Sequence, residues 1–280
     1  MPENRQLAGP TRRSLKHGER IDWHQHVLNQ LCYPLRGALQ VSTPTGTWLV
    51  PPHRAVWVPA GVPHAHRASG PTEMRTLVFA EPVNPLRLDR PTVLTVDALL
   101  REVIAALSEG RDEDGLPTPG RSPTLGRRQR RNLERVALDR LCGAEELPLD
   151  LPQPSDDRLR TVASLLLENP ADQRTAAELG ACAGASERTL SRLFRAETGM
   201  TFPQWRARLR LHHALALLAA GEPVTAVAMA CGFSSPSAFI ETFRSALGAT
   251  PGRYQHEALS GKVKITSFPN GPVASPPPPR

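Results

Sequence analysis

Thr175-Ala-Ala-Glu-Leu-Gly-Ala-Cys182, Ala183-Gly-Ala185 and Ser186-Glu-Arg-Thr-Leu-Ser-Arg-Leu-Phe-Arg195 read as a short helix, a tight turn and a second helix. Ser186 suits the cap of the second helix, because its hydroxyl can accept a backbone N–H that the first turn leaves without a partner. Leu190, Leu193 and Phe194 recur on one face, which leaves Arg188, Ser191, Arg192 and Arg195 on the others. A short helix, a tight turn and a second helix armed with arginine is the geometry that enters a DNA major groove.

The pattern then repeats. Val224-Thr-Ala-Val-Ala-Met-Ala-Cys231 predicts a short helix, Gly232-Phe-Ser-Ser235 a turn, and Pro236 to Leu247 a second reading helix. Pro236 fits a first helical turn, where its missing N–H costs nothing. Between the halves, Pro203 to Ala220 reads as one helix with Trp205, Leu209, Leu211, Ala214, Leu217 and Leu218 on its apolar faces. At 1.5 Å per residue it spans roughly 26 Å. Such a strut can hold two reading helices about one DNA turn apart on one side of a duplex.

Residues Leu179 to Tyr254 resemble the DNA-binding domain of the AraC/XylS family of transcription regulators. The resemblance is carried by Leu179, Ser186-x-x-x-Leu190-x-Arg192-x-Phe194, Gly199, Pro203-x-Trp205 and Arg210-Leu211-x-x-Ala214-x-x-Leu217-Leu218. It continues through Val227-Ala228-x-x-x-Gly232-Phe233, Phe239-x-x-x-Phe243 and Gly248-x-Thr250-Pro251-x-x-Tyr254. It implies base-edge contacts from Arg188, Ser191 and Arg192, a phosphate contact from Arg195, and second-helix contacts from Ser237, Ile240 and Glu241. Glu241 and Gln255 stand where the family usually has Arg. An acidic residue repels phosphate but can accept a hydrogen bond from cytosine N4, so the first helix is expected to be the stronger anchor.

Upstream the period changes. From about Ile21 to Phe79, short β-type runs are broken by Pro and Gly: Gly37–Val41, Gly46–Val50, Ala55–Val58 and Met74–Phe79. This predicts an all-β sandwich or small barrel. His24-Gln25-His26, Gln30 and Gly37, with Pro59-x-Gly61-x-x-His64, resemble the two cupin motifs. That resemblance implies a jelly-roll barrel with His24, His26, Gln30 and His64 as ligands for Zn, Ni, Cu or Fe. Gln30 replaces the usual carboxylate, and Ala68 stands in place of the motif's terminal Asn. The other reading makes these histidines the polar lining of an effector pocket. His53 and His66 are expected to face solvent or back up the cluster, and Trp23, Trp48 and Trp57 to fill the core.

After the barrel, Val96, Leu99, Leu100, Val103, Ile104 and Leu107 recur at helical spacing within Thr92–Leu107, with Thr95 or Asp97 near the cap. A second amphipathic stretch runs from about Gly126 to Leu141, its arginines beside an apolar stripe. The two helices either pair two chains or cover the barrel's open face, since an apolar stripe reports burial and not its partner. Leu147 to Ser155 is proline-rich, resists helix and sheet alike, and reads as a linker.

The expected organisation is therefore multidomain: a cupin-like barrel at 12–90, a helical connecting region at 91–146, a linker at 147–156, an all-α DNA-binding domain with two helix-turn-helix units at 157–258, and a disordered tail at 259–280. A formal charge of +7 favours a polyanionic partner. Four widely spaced cysteines suit a reducing cytosol as small buried hydrophobes. The chain has no run long enough for a membrane span and no apolar signal segment, so a cytoplasmic location is expected. The family resemblance implies an operator, a small-molecule effector, RNA polymerase and a second copy of the chain as partners, in activation or repression. The rival expectation is a metal-dependent cupin enzyme, a dioxygenase or isomerase, fused to a DNA-binding module.

Overall fold

The computed structural model describes residues 3–4, 11–80, 84, 86–109, 125–147 and 150–260. The N-terminal half is built on two long antiparallel strands, β4 (Leu28–Thr43) and β7 (His64–Ala80). They pair from Leu28 opposite Ala80 to Ser42 opposite Ala65, with register shifts around Pro34, Arg36 and Ala38. Gly37 sits in that break with φ +73°, and a Cβ there would lie 2.4 Å from the carbonyl of Pro71, so only glycine lets the two strands approach. Beyond β4 and β7, the sheet contains β1 (Glu3–Asn4), β2 (Thr11–Leu15), β3 (Arg20–Gln25), β5 (Gly46–Val50), β6 (Arg54–Val58), β8 (Thr92–Thr95), β9 (Glu146–Leu147) and β10 (Asp150–Pro152). The main path of pairing is β1-β3-β7-β4-β6-β8-β9, with β2 on β7 and β5 on β4.

Alternation along the strands decides what each face does. Leu15, Ile21, Cys32, Trp48, Val56 and Val93, drawn from six strands, meet in one apolar core. The alternate residues Leu31, Tyr33, Ala55, Trp57, Leu77 and Leu94 point the other way, and α1 (Ala98–Ser108) and α2 (Arg127–Cys142) cover them. The described pairings form an open path, so the expected barrel is a sheet wrapped around a shared core and not a closed ring of hydrogen bonds. Of the two readings of the connecting helices, the structure shows the covering one: Leu100, Val103, Ile104 and Leu107 are spent on the sheet of the same chain.

Four expectations need correction here. Thr92–Thr95 is strand, antiparallel to β6, because the helical run starts only after the cap at Asp97, whose carboxylate accepts from Leu100 N–H. Residues 150–152 do not resist sheet: β10 pairs with β5, and its Pro152 is tolerated because the strand is an edge. Trp23 is exposed. Cys32 and Cys231 are buried as expected, but Cys142 and Cys182 are exposed.

From residue 156 on, the described structure is helical: α3 (Asp157–Glu168), α4 (Ala176–Cys182), α5 (Glu187–Thr198), α6 (Phe202–Ala219), α7 (Val224–Ala230), α8 (Pro236–Leu247) and α9 (Pro251–Ser260). Residues 259 and 260, expected in the tail, end α9, and 261–280 lie outside the described residues. α6 carries buried apolar residues on two faces, with its arginines and histidines between them, because it is packed on two sides. Its first half, with Phe202, Trp205 and Leu209, closes the core of α3, α4 and α5, whereas Leu211, Ala214, Leu215 and Leu218 close the core of α7, α8 and α9. Leu217, assigned to the apolar face, is only half-buried.

The two halves share material. Leu151 of β10 is buried in the core of α3 to α5, and Leu49 of β5 in that of α7 to α9. Trp205 Nε1 donates to the carbonyl of Pro152 at 3.0 Å, and Arg208 donates to the carbonyl and carboxylate of Asp150.

Candidate nucleic-acid interface and histidine cluster

Both reading helices are made by the same local devices. Thr175 caps α4 in a capping box with Glu178. Gly180 makes the first turn possible, since a Cβ there would lie 2.5 Å from the carbonyl of Ala185. Ser186 Oγ accepts from Thr189 N–H to start α5, and Ser235 Oγ accepts from Ala238 N–H to start α8. Each ends on a left-handed glycine, Gly199 at φ 69° and Gly248 at φ 71°. At the second turn, Gly232 has φ +71° and approaches the backbone of Ala171, where a Cβ would lie 2.8 Å from Cα.

Leu190, Leu193 and Phe194 are buried, and Arg188, Ser191, Arg192 and Arg195 are exposed, as the periodicity predicts. Arg188, Arg192 and Arg195 follow one another at i, i+4 and i+7, so they form one stripe along α5. None of the three makes an ion pair among the described residues. On α8, Phe239 and Phe243 are buried, and Ser237, Ile240 and Glu241 are exposed. Arg244, which the sequence reading passed over, is exposed one turn beyond Ile240. It stands at i+4 from Ile240, which is the signal that could have found it.

Other arginines have structural work. Arg210 donates to the carbonyls of Pro170 and Asp172, and Arg206 to those of Arg174 and Asp172. Both belong to α6 and tie it to the loop before α4. Asp172 in turn accepts from Arg174 through backbone and guanidinium, and these bonds hold its carboxyl below the ordinary aspartate value.

In the sheet, β3 and β7 bring His24 and His64 together with ring centroids 4.3 Å apart. His26 lies just beyond β3, its ring 5.0 Å from that of His64. Gln30 Oε1 faces Nε2 of His26 at 3.0 Å and Nε2 of His64 at 3.1 Å, so Gln30 joins these two rings, while His24 packs against the ring of His64. His66 joins them. It is fully buried, its ring 5.1 Å from that of His64, which corrects the expectation that it faces solvent or stands behind the cluster. The nitrogens of His24, His64 and His66 all lie within 4.8 Å of one another.

The tautomers follow from the backbone. The Nδ1 atoms of His24, His26 and His64 face the carbonyls of Asp22, Leu28 and Val62 at 2.7–2.8 Å, and a carbonyl can only accept, so each Nδ1 carries the proton. In the neutral ring, Nε2 is then the atom that presents a lone pair toward the cluster. Burial, followed by the neighbouring His24, pushes His64 down to about 3, and burial pushes His66 well below its ordinary value. Neutral imidazoles with carbonyl-anchored Nδ1–H groups are the form that ligates a metal. The donor set fits Zn, Ni, Cu or Fe(II): it is rich in imidazole and contains no carboxylate. His66 Nδ1, buried and without a hydrogen-bond partner among the described residues, fits the same reading. Without a metal, a Gln30 amide turned to point its NH₂ at both Nε2 atoms would satisfy the cluster.

Two helix-turn-helix units on one strut, presented beside a sheet domain, define a DNA-binding protein of two parts. The profile of a helix-turn-helix domain family matches residues 179–257. The chain is 34% identical over 231 residues to the HTH-type transcriptional regulator NimR of Escherichia coli, an alignment spanning 82% of this chain and 81% of that one. The RipA regulator of Corynebacterium glutamicum is 40% identical over 103 residues, 37% of this chain and 31% of its own. The DNA-binding domain of AdpA, solved with a target DNA, is 36% identical, covering 37% of this chain and 96% of that one at a TM-score of 0.35. The chain belongs to the AraC family of helix-turn-helix transcriptional regulators. It is a DNA-binding transcriptional regulator, the leading one of the two readings of the sequence. Among the described residues no helix is long and apolar enough to cross a membrane.

Proposed function

We propose that α5 is the main reader of a bacterial operator, with Arg188, Ser191 and Arg192 on base edges and Arg195 on phosphate. Ser237, Ile240 and Glu241 of α8 read the adjacent groove. The single observation that carries this is the Arg188–Arg192–Arg195 stripe, without an ion pair among the described residues, on a capped helix whose opposite face is buried. Glu241 favours a cytosine partner and weakens the second contact relative to the first. The sheet domain is the sensor. A small effector, or a divalent transition metal held by His24, His64 and His66 with His26 and Gln30 beside them, changes operator affinity by favouring one arrangement of the two parts. Bound metal there would act as a ligand-exchange or structural centre. The regulator works in the cytoplasm as a homodimer and acts on RNA polymerase as activator or repressor.

Selecting genomic fragments bound by the full chain, with and without added metal, tests the reading. Arg192→Ala is expected to lower preference for the selected sequence over random competitor by about 10- to 100-fold, the value of one bidentate base contact. No preference by the unaltered chain at moderate salt would sink the assignment. Metal content after purification decides the sensor chemistry: at least one stoichiometric transition metal is expected, lost in His64→Ala.

A further inference from the structure

The outer side of α2 carries positive charge that the rest of the fold leaves unanswered. Arg127, Arg128, Arg131 and Arg135 are exposed, and none of them makes an ion pair or a hydrogen bond among the described residues. With 3.6 residues per turn they fall within an arc of about 100°, so they form one face. The helix carries two carboxylates, Glu134 and Asp139, and neither pairs with these arginines. Its other arginines have structural work: Arg130 donates to the carbonyl of Leu107 and Arg140 pairs with Asp97, which fixes α2 to α1 near both of its ends.

Like charges one turn apart, Arg127 with Arg131 and Arg131 with Arg135, weaken a helix, so the row is a standing cost that a dense negative charge removes. From Arg127 to Arg135 it is about 12 Å long, which spans roughly four phosphates of one duplex strand at about 3.4 Å each along the axis. Guanidinium forks suit phosphate oxygens, and such contacts position a protein on a duplex without reading its bases. A lipid surface fits less well, because it takes in apolar side chains beside basic ones, and Leu133, Val136, Ala137 and Leu141 of α2 are spent on the sheet. The same face on a second copy of the chain would repel it. Leu49 and Leu151 fix the sheet to the DNA-binding helices, so once α5 and α8 are seated, α2 holds a set place relative to the duplex.

We infer that this face of α2 is a second, sequence-independent DNA contact, gripping phosphates outside the segment that α5 and α8 read. It adds affinity without adding preference, and it lengthens the stretch of duplex that one chain covers. The placement outside the read segment rests on the proposed roles of α5 and α8; the contact itself rests on the arginine face.

The test is a salt titration of DNA binding by the full chain, between about 50 and 200 mM, on a selected operator with long flanks, the same operator trimmed to its core, and a long random duplex. Arg127→Gln, Arg131→Gln and Arg135→Gln together should lower the slope of log affinity against log salt by about 3 on both long duplexes, and weaken binding about tenfold or more at about 100 mM. The ratio of operator to random affinity should not change, and on the trimmed operator variant and parent should bind alike. The three matching Lys replacements should keep the parent's slope, since charge and not shape is being read. Should the triple Gln variant lose the circular dichroism of the parent, each single Gln replacement should still lower the slope by about 1. A slope unchanged on the long duplexes would overturn the contact and leave the face to an acidic protein, and an equal loss on trimmed and long operators would overturn it as well. The random duplex separates the two assignments: without any sequence preference the role of α5 falls while the slope difference still reports α2, and an unchanged slope leaves α5 untouched.

Discussion

At the residue scale, Asp172 connects more of the DNA-binding domain than its position in a loop suggests. Its carboxylate holds Arg174 while its carbonyl accepts from Arg206 and Arg210 of α6. Asp172→Asn keeps the shape and removes the charge, and is expected to cost about 1–2 kcal/mol in a urea titration near neutral pH, Arg174 being partly exposed. The carboxyl is depressed in the folded chain, so its contribution is present above the ordinary aspartate value and is lost as pH falls through the folded one. The parent chain should therefore lose its advantage over the Asn variant in acid. A gap that stays constant down to the acid transition would show that Asp172 stays charged in neither state or matters only sterically. The sequence offers no sign of this role, because Asp-Gln-Arg reads as an ordinary solvated turn.

At the scale of elements, the two turns make a graded test of backbone demand. Gly184 has φ +65° with nothing near a built Cβ, so Gly184→Ala should cost about 1 kcal/mol, the left-handed penalty alone. Gly232→Ala adds collision with the backbone of Ala171 to the same penalty and should cost about 3 kcal/mol. Equal losses in denaturant midpoint would contradict the described packing. These helices were legible in the sequence because each is short, periodic, and marked by its own cap and glycine. The sheet was less so. The span Thr92–Leu107, read for its helical spacing, took in β8 as well as α1, although Asp97, one of the two caps it offered, is where α1 starts; Leu99, placed on the apolar stripe, is exposed at 54%. His66 was missed although the i, i+2 argument applied to His24 and His26 places it beside His64 on β7. β10 was hidden by Pro152 and the prolines around it, and the tolerance of Pro152 at an edge depends on which strand lies next to it, a fact of tertiary structure.

At the scale of the whole molecule, the sheet and the helices are not independent. Leu151 reaches from a sheet strand into the core of α3 to α5, and Leu49 into the core of α7 to α9. The chain is therefore expected to unfold in a single calorimetric transition, which Leu151→Ala should lower as a whole by about 2–4 kcal/mol. Two resolved transitions in the parent chain would show that the contact does not couple the parts. On the proposed function, this coupling carries a signal at the sheet to the reading surface without any change within α5 or α8.

The strut has one more consequence. Because α5 presents Arg188, Ser191 and Arg192 where α8 presents Ser237, Ile240 and Glu241, and the two hang from opposite ends of α6, a lone protomer touches a stretch of promoter whose left and right are not interchangeable. Such a target needs no mirror-related copy. Its orientation alone determines whether the sheet domain faces upstream or downstream, so inverting the element in place is equivalent to turning the whole regulator around on the chromosome.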